Sequence, residues 1–245
     1  MMKFLIQKIL ERGIQILELI RDKTLEPKIV LRKEFAHIQF GKEALQKLLN
    51  DYEFTSVLDI GSGAGLHSEQ FLKHGKELTA LDYGDSVYFR ENRNEIHNII
   101  ADFNEYQFNT EFDCIWCSHV LEHQLNPHNF LKRVNLVCRE GGTVAIVVPP
   151  RKDIIVGGHV ALWNPGLLLY HLVLAGFDCS KASILKKGYN ISVIIRKRTI
   201  TTDLNLSYDR GDIRKIKCFL PDGLDFHTGN PLDDPYNGII YSLNW

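Results

Sequence analysis

The amino-acid sequence predicts an α/β protein built on a mostly parallel sheet, and three observations carry that prediction. The run Ser56 to Ile60 is apolar at 57, 58 and 60 and breaks into Gly61-Ser62-Gly63-Ala64-Gly65, the pattern of a buried strand ending in a glycine turn. Leu66 to His74 then has helical spacing at 66, 71 and 72, so the glycines join a strand's carboxyl end to a helix's amino end. Four more apolar runs follow, Glu77 to Asp82, Ile96 to Ala101, Phe112 to Ser118 and Thr143 to Val148. In open α/β sheets the ends of such strands are where nucleotide-like ligands bind.

Glycine spacing and the acids beside it narrow the ligand. A dinucleotide fingerprint, Gly-x-Gly-x-x-Gly, needs its third glycine at 66, which is Leu66; here that glycine stands at 65. Asp59 lies two residues before Gly61, which suits a ligand with a cationic amine better than a bare pyrophosphate. Asp82 closes the second strand twenty-one residues after Gly61, where a carboxylate can accept both ribose hydroxyls of an adenosine. Asp102 and Phe103 close the third, an acceptor and an aromatic suited to an adenine amino group and ring face. Three strand-end acids without a phosphate contact describe a nucleoside carrying an amine, as in S-adenosylmethionine.

Taken together, Val57 to Gly65, Asp82, Asp102, Ser118-His119-Val120-Leu121-Glu122-His123 and Gly141-Gly142 leading into Thr143 to Val148 resemble the class I S-adenosylmethionine-dependent methyltransferases. The likeness is to the broad group with Leu-Glu-His after the fourth strand, and it spans roughly residues 35 to 198. It implies a Rossmann-like seven-stranded sheet of order 3-2-1-4-5-7-6, with strand 7 antiparallel and helices on both faces. It also implies S-adenosylmethionine as cofactor, held by Asp59, Gly61, Ser62, Gly63, Gly65, Asp82, Tyr83, Asp102, Phe103 and Ser118. Residues 1 to 34 are then an N-terminal helical extension, 35 to 198 the cofactor-binding domain, and 199 to 245 a C-terminal extension expected to wrap the active-site edge or a subunit interface.

Composition agrees with a single α/β domain carrying appendages. With 29 basic and 30 acidic residues among 245 the formal net charge is −1, so no global field favours nucleic acid. No apolar stretch is long enough to span a membrane, and a soluble cytoplasmic protein, with a homodimer as the expected assembly, is the reading. Five cysteines make no disulfide framework. Cys114 and Cys117 are an odd number of residues apart on a strand, hence on opposite faces and in the core.

Met1 to Lys23, apolar at 5, 6, 9, 10, 14, 16, 17 and 20, reads as an amphipathic helix. Gln7, Lys8, Glu11 and Arg12 interrupt its apolar run and argue against a signal peptide. Packing on its own domain or a sister subunit is favoured over peripheral membrane contact. A second helical pattern, Arg32 to Tyr52 with Gly41 inside it, is expected over the cofactor, with His37 and Gln39 as candidate contacts. Asn126 to Glu140 is a helix with Pro127 in its first turn, stopped by Gly141-Gly142. Arg151 to Trp163, hinged at Gly157-Gly158, is the natural substrate lid. A helix over Asn164 to Ala175 precedes two strands, Phe177 to Lys186 and Tyr189 to Arg196, in a hairpin about Lys187-Gly188.

Methyl transfer is in-line displacement at an activated sulfonium, so the protein mainly supplies position. A hydroxyl acceptor must also lose a proton, which a histidine can take. His119, His159 and His123 are the candidates, the first two preferred for their placement. Ubiquinone-type and small-RNA ribose O-methyltransferases carry Glu-x-x-Glu-His and a downstream histidine as metal ligands. Here the first glutamate is replaced, giving His119-x-x-Glu122-His123 with His159; no metal is the expectation, and those four residues are the alternative. Ser118-His119-Val120-Leu121 stands where adenine-amino methylases carry Asn/Asp-Pro-Pro-aromatic, which argues against base amines as acceptors. Arg151 and Lys152 could hold a phosphate or carboxylate and Trp163 could stack on a sugar or base. The expected acceptor is a sugar hydroxyl on a nucleotide-sugar or surface-polysaccharide precursor; another small metabolite, N- or O-methylated, or an inactive partner subunit are the alternatives.

Overall fold

The computed structural model describes residues 2–90, 96, 98–227, 229 and 233–245, and within them the apolar runs become one eight-stranded sheet. The strands are β1 (Ser56–Ile60), β2 (Glu77–Asp82), β3 (Asn98–Ile100), β4 (Phe112–Ser118), β5 (Cys138–Val148), β6 (Ser183–Lys187), β7 (Asn190–Arg196) and β8 (Ser242–Leu243). Their order is β3-β2-β1-β4-β5-β7-β6-β8. β1 to β5 pair in parallel, β7 runs antiparallel between β5 and β6, and β8 is antiparallel to β6. The seven-strand order read from the sequence is present, and the C-terminal segment adds an eighth strand at its edge.

The helices are α1 (Met2–Leu25), α2 (Lys42–Asp51), α3 (Leu66–Lys73), α4 (Val87–Arg90), α5 (Pro127–Val137), α6 (Pro165–Leu174) and α7 (Asp212–Ile216). Period-two alternation along β4 divides the core between the sheet's faces. Ile115 and Cys117 join Phe130, Leu131 and Val134 of α5 and Leu168, Leu169 and Leu172 of α6. Cys114 and Trp116 join Leu45 and Leu48 of α2 and Phe71 of α3 on the other face. The two cysteines are therefore buried packing residues on opposite sides.

Several boundaries differ from the sequence reading, each for a local reason. Gly41 is not inside a helix but caps one: it stands at φ +65°, and a Cβ there would meet Ser118 Oγ at 3.1 Å and Trp116 at 3.2 Å. β5 begins at Cys138, before the glycine pair, with a register shift against β4. β6 starts only at Ser183, since Phe177 forms an isolated bridge to Thr199. Helices α5 and α6 start where their sequences say, with Asn126 and Asn164 side chains accepting from Asn129 and Leu167 amides and proline in each first turn.

Between β1 and α3 the chain turns through Gly61, Gly63 and Gly65 at φ +72°, +51° and +78°, a region in which only glycine is unstrained. Gly61 is doubly constrained, because a Cβ would lie 2.3 Å from Val120 Cγ2. Gly75 has the same φ, +70°, with nothing near its Cβ position. Gly61→Ala is thus expected to cost about 1–3 kcal/mol more than Gly75→Ala in urea unfolding, the excess measuring the clash with Val120. Equal losses would show that Val120 gives way freely.

Candidate active site

The glycine loop is held from the neighbouring strand ends rather than by its own side chains. Gly61 and Ser62 amides donate to Leu81 O at 2.8 and 3.2 Å, continuing the β1–β2 ladder past the strand. Asp82 takes the next step: its Oδ2 accepts from the Gly63 amide and its Oδ1 from the Gly84 amide, both at 2.9 Å. Ser62 Oγ donates to Asn98 Oδ1 of β3 at 2.6 Å. The cradle is thus tied across three strands.

The strand-end acids occupy unlike environments. Asp59 is 1 % exposed and accepts from Ser68 Oγ of α3 at 2.5 Å, which fastens the helix start beneath the loop. Burial lifts its carboxyl to about 7, the Ser68 hydrogen bond opposes the rise, and the nearby Asp82 charge adds to it. Asp102, half-buried, accepts from Asn104 through its amide and its side chain at 2.8 and 2.9 Å. Tyr83 is exposed at 67 %, just past β2. Ser118, at the end of β4, is buried with its Oγ unpartnered beside Gly41.

Phe103 departs from its expected role. Its ring is buried against Phe130 at 5.0 Å and Phe108 at 6.1 Å, with the Arg133 guanidinium over it. The aromatic is used in the core, and no ring face is left for an adenine. His37 and Gln39 are exposed to solvent; beside them Phe40 places its ring, tilted by 34°, 4.4 Å from that of His119.

Past β4 the chain enters a constrained turn. His119 sits at φ +58°, unusual for a residue with a side chain, and its amide donates to Val147 O at 2.8 Å. The Gly41 amide donates to Asn190 Oδ1 at 3.2 Å, so that oxygen is an acceptor and His119 Nε2, 3.0 Å from it, must carry a hydrogen. His119 Nδ1 faces Glu122 Oε1 at 3.2 Å. The Asn190 bond fixes the ring's orientation, which argues for His119 as a positioning residue in place of the base its sequence position suggests.

Glu122 is fully buried, and neither carboxylate oxygen has a hydrogen-bond donor. Its backbone carbonyl accepts from the Val160 and Ala161 amides at 2.9 and 3.2 Å, pinning the 151–163 loop over it. His123 Nδ1 lies 2.8 Å from Gly158 O and must donate to it; its Nε2 lies 3.9 Å from Glu122 Oε1. His159 meets the His123 ring edge-on at 5.0 Å. Burial pushes the His159 imidazole below its ordinary value, partly countered by Glu122, with His123, His119 and Lys152 adding to the lowering. One ligand atom from each of Glu122, His123 and His159 falls within 4.8 Å of the others. His159 stands 36 positions beyond His123 in the sequence; the contact between Glu122 O and the loop's amides brings it to the other two.

The loop's neck is closed by a bridge between Pro150 and Trp163, with the Arg151 amide donating to Trp163 O at 2.7 Å. Trp163 is only 2 % exposed and packs edge-on to His171 at 5.1 Å. It is a hinge residue in the core and cannot stack on a ligand. Arg151 is exposed and 4.0 Å from Asp153, while Lys152 Nζ lies 4.1 Å over the Tyr189 ring. Inside the loop a small pocket is walled by Pro149, Pro150, Ile154, Val156, Leu162 and Tyr189 together with Lys152 and His159.

A profile described as a methyltransferase domain matches residues 58–146. The malonyl-[acyl-carrier protein] O-methyltransferase of Salmonella typhimurium is 32% identical over 110 residues, 44% of each chain. Ubiquinone biosynthesis O-methyltransferases of Glaesserella parasuis and Rickettsia prowazekii are 26% and 25% identical, over 62% and 56% of this chain and 75% and 59% of theirs. The chain therefore spans only part of these relatives. In fold it is similar to a S-adenosylmethionine-dependent methyltransferase from Archaeoglobus fulgidus, with TM-score 0.54, 16% identity and coverage of 64% of this chain and 91% of that one. It is likewise similar to the 1,6-didemethyltoxoflavin-N1-methyltransferase of Burkholderia thailandensis, with TM-score 0.52, 17% identity and coverage of 67% and 78%. The sheet order and these structures give the chain the fold of the class I S-adenosylmethionine-dependent methyltransferases, and residues 58–146 within it match a methyltransferase domain.

The raised Asp59 carboxyl has a measurable consequence. An acid whose folded value, about 7, exceeds its ordinary value near 4 keeps a proton that the unfolded chain releases, so its burial costs more stability as pH rises across that window and no more above it. Asp59→Asn, which can still accept from Ser68, is expected to gain on the wild type in thermal melts between about pH 4.5 and 7.5. A difference that stays flat with pH would place Asp59 in the charged form throughout.

Proposed function

We propose that this chain transfers the methyl group of S-adenosylmethionine to a hydroxyl oxygen of a small acceptor, with His123 or His159 as the general base. The observation that supports this most directly is His123, whose Nδ1 donates to Gly158 O, so that Nε2, facing buried Glu122, is the lone-pair nitrogen of the neutral ring. That is the state a base needs before it takes a proton. His159, held low by burial, is also neutral near pH 7. Once a proton arrives on either imidazole, the Glu122 carboxylate stabilises the cation, as an unpaired buried acid can.

The donor supplies a methyl group already activated on sulfur, and this chain's residues position it. Gly61, Ser62, Gly63 and Gly65 offer bare backbone to the nucleoside, and Asp82 orients the loop. Each Asp82 oxygen accepts one amide and keeps a second lone pair for a ribose hydroxyl. Asp59 acts from beneath through Ser68 and the loop. Asp102, Tyr83 and Ser118 complete the proposed set at the adjoining strand ends.

Acceptor chemistry follows from the lid. A sugar hydroxyl loses its stacking platform with Trp163 buried. The named relatives' methylation of oxygen, in malonyl-carrier and ubiquinone chemistry, supports oxygen over nitrogen. Lys152 and Arg151 at the rim suit an acidic group on the same molecule.

A second reading has its own observation: Glu122, His123 and His159 could hold a divalent ion, with His123 steadied through Gly158 as metal-bound histidines usually are. Such an ion would lower the acceptor hydroxyl's proton affinity. His119, which stands in place of the first glutamate, is not among the three residues whose ligand atoms converge.

His123→Ala and His159→Ala should be assayed against a panel of phenols, carboxylates and nucleotide-sugars, scoring the mass gain of one methyl group. The base variant is expected to lose on the order of 10²–10⁴ in kcat with calorimetric cofactor affinity retained. Because His159 is depressed, the acidic limb of kcat/KM should fall below the ordinary imidazole value if it is the base. Chelation that abolishes turnover, reversed by a divalent ion, selects the metal reading; wild-type rates in both variants reject both readings. For the cofactor, Gly63→Val should block binding, and Asp82→Ala should weaken it by about 1–3 kcal/mol.

A further inference from the structure

Helix α1 has no buried residue along its 24 positions. Leu5, Ile9, Ile16, Leu17 and Ile20 are each 55–67 % exposed. Placed at 100° per residue, these with Met2, Ile6, Leu10 and Leu19 fill an arc of about 180°. Charge is arranged around that arc by sign. Lys8 borders one edge, with Arg12 and Lys23 just inside it, and Lys3 and Arg21 border the other, whereas Glu11, Glu18 and Asp22 lie on the opposite face, where Phe4 and Ile14 also fall outside the arc. Among the described residues Lys3, Lys8, Arg12 and Lys23 form no ion pair.

The helix is fastened at its carboxyl end only. Asp22 accepts from Lys186 Nζ at 2.7 Å and Tyr241 OH at 2.5 Å, Glu26 from the Gly188 amide at 2.8 Å, and Lys187 Nζ donates to Pro27 O at 2.9 Å. Its seat is therefore the β6–β7 turn. Tyr189, the next residue, walls the lid pocket together with Ile154 and Ile155, which are 74 and 85 % exposed. The apolar helix and the apolar lid tip share one support.

We infer that α1 lies flat on an anionic bilayer surface and holds the lid of the active site against it. Basic residues at both borders of a wide apolar face match acidic headgroups above an acyl boundary, and their long stems reach the headgroups from the edge. No described helix is long and apolar enough to cross a membrane, so the helix lies on the surface. Pairing with a second copy fits less well. A two-stranded seam at Met2, Ile6, Ile9, Gly13, Ile16 and Ile20 would place a glycine in the seam and leave Leu5, Leu10, Leu17 and Leu19 in water. A bilayer covers the whole arc.

Flotation of the full chain with phosphatidylcholine vesicles, with and without phosphatidylglycerol, tests this. The chain is expected to float with the anionic vesicles. Lys8→Gln with Arg12→Gln should reduce partitioning about 10–30-fold, and Ile9→Glu with Ile16→Glu should abolish it. Both variants change a helix with nothing buried, so melting temperature and cofactor binding should stay at wild-type values, which confirms that they fold. Wild type that does not float, or Ile9→Glu with Ile16→Glu that floats as well as wild type, overturns the proposal. So does a lipid-free dimer in sedimentation velocity that Ile9→Glu with Ile16→Glu dissociates, which assigns the face to a second copy. The test needs no acceptor and is independent of the proposed methylation reaction.

Discussion

The structure depends on one carboxylate bridging two backbone amides. Asp82 stands at the end of β2, reaches sideways to Gly63 and back to Gly84, and so sets the path of the loop that leaves β1. Without side chains of its own the loop has little to hold it, and glycines cost the unfolded chain's freedom most heavily. The neighbouring strand supplies what the loop lacks. Asp59 and Ser68 complete the arrangement from below, joining β1 to α3 at the point where the helix must start.

A second constraint acts at the end of β4, where Glu122 is buried with three histidines around it. A carboxylate without a donor in that position is costly unless cations or protons can be supplied to it. His119 and His123 approach it from either side, and His159 comes from the lid. The same glutamate's carbonyl anchors the lid through Val160 and Ala161. Lid position and the electrostatics of the cluster are thereby coupled through one residue, which suits a site that must exclude water when occupied.

The C-terminal segment and α1 serve the opposite edge. β8 covers the outer strand β6, and Tyr241 beside it reaches Asp22 and Arg21 of α1. Tyr236 donates to Gly166 O at the start of α6, so the segment also braces the helix that follows the lid. These residues stabilise the frame around the site and lie away from the glycine cradle.

Much of this was legible in the sequence, because it depends on local pattern. Buried strands announce themselves by apolar runs, glycine turns by spacing, and helix starts by Asn-Pro pairs, so the strands and the glycine turn followed from residues near one another in the chain, whereas the sheet order came from the family resemblance. Roles set by distant partners were not legible. Phe103 and Trp163 look like ligand contacts at strand and loop ends, yet each is drawn into the core by rings and helices far away in sequence. His119 reads as a base until Asn190, oriented by the Gly41 amide, occupies its Nε2. By itself the sequence determined the strand-turn-helix frame and its glycine cradle, since backbone geometry and hydrophobic period are local properties. Only the tertiary structure decided which ring nitrogen of each histidine is taken up by a partner, because that is settled by which donors and acceptors the fold brings within about 3 Å.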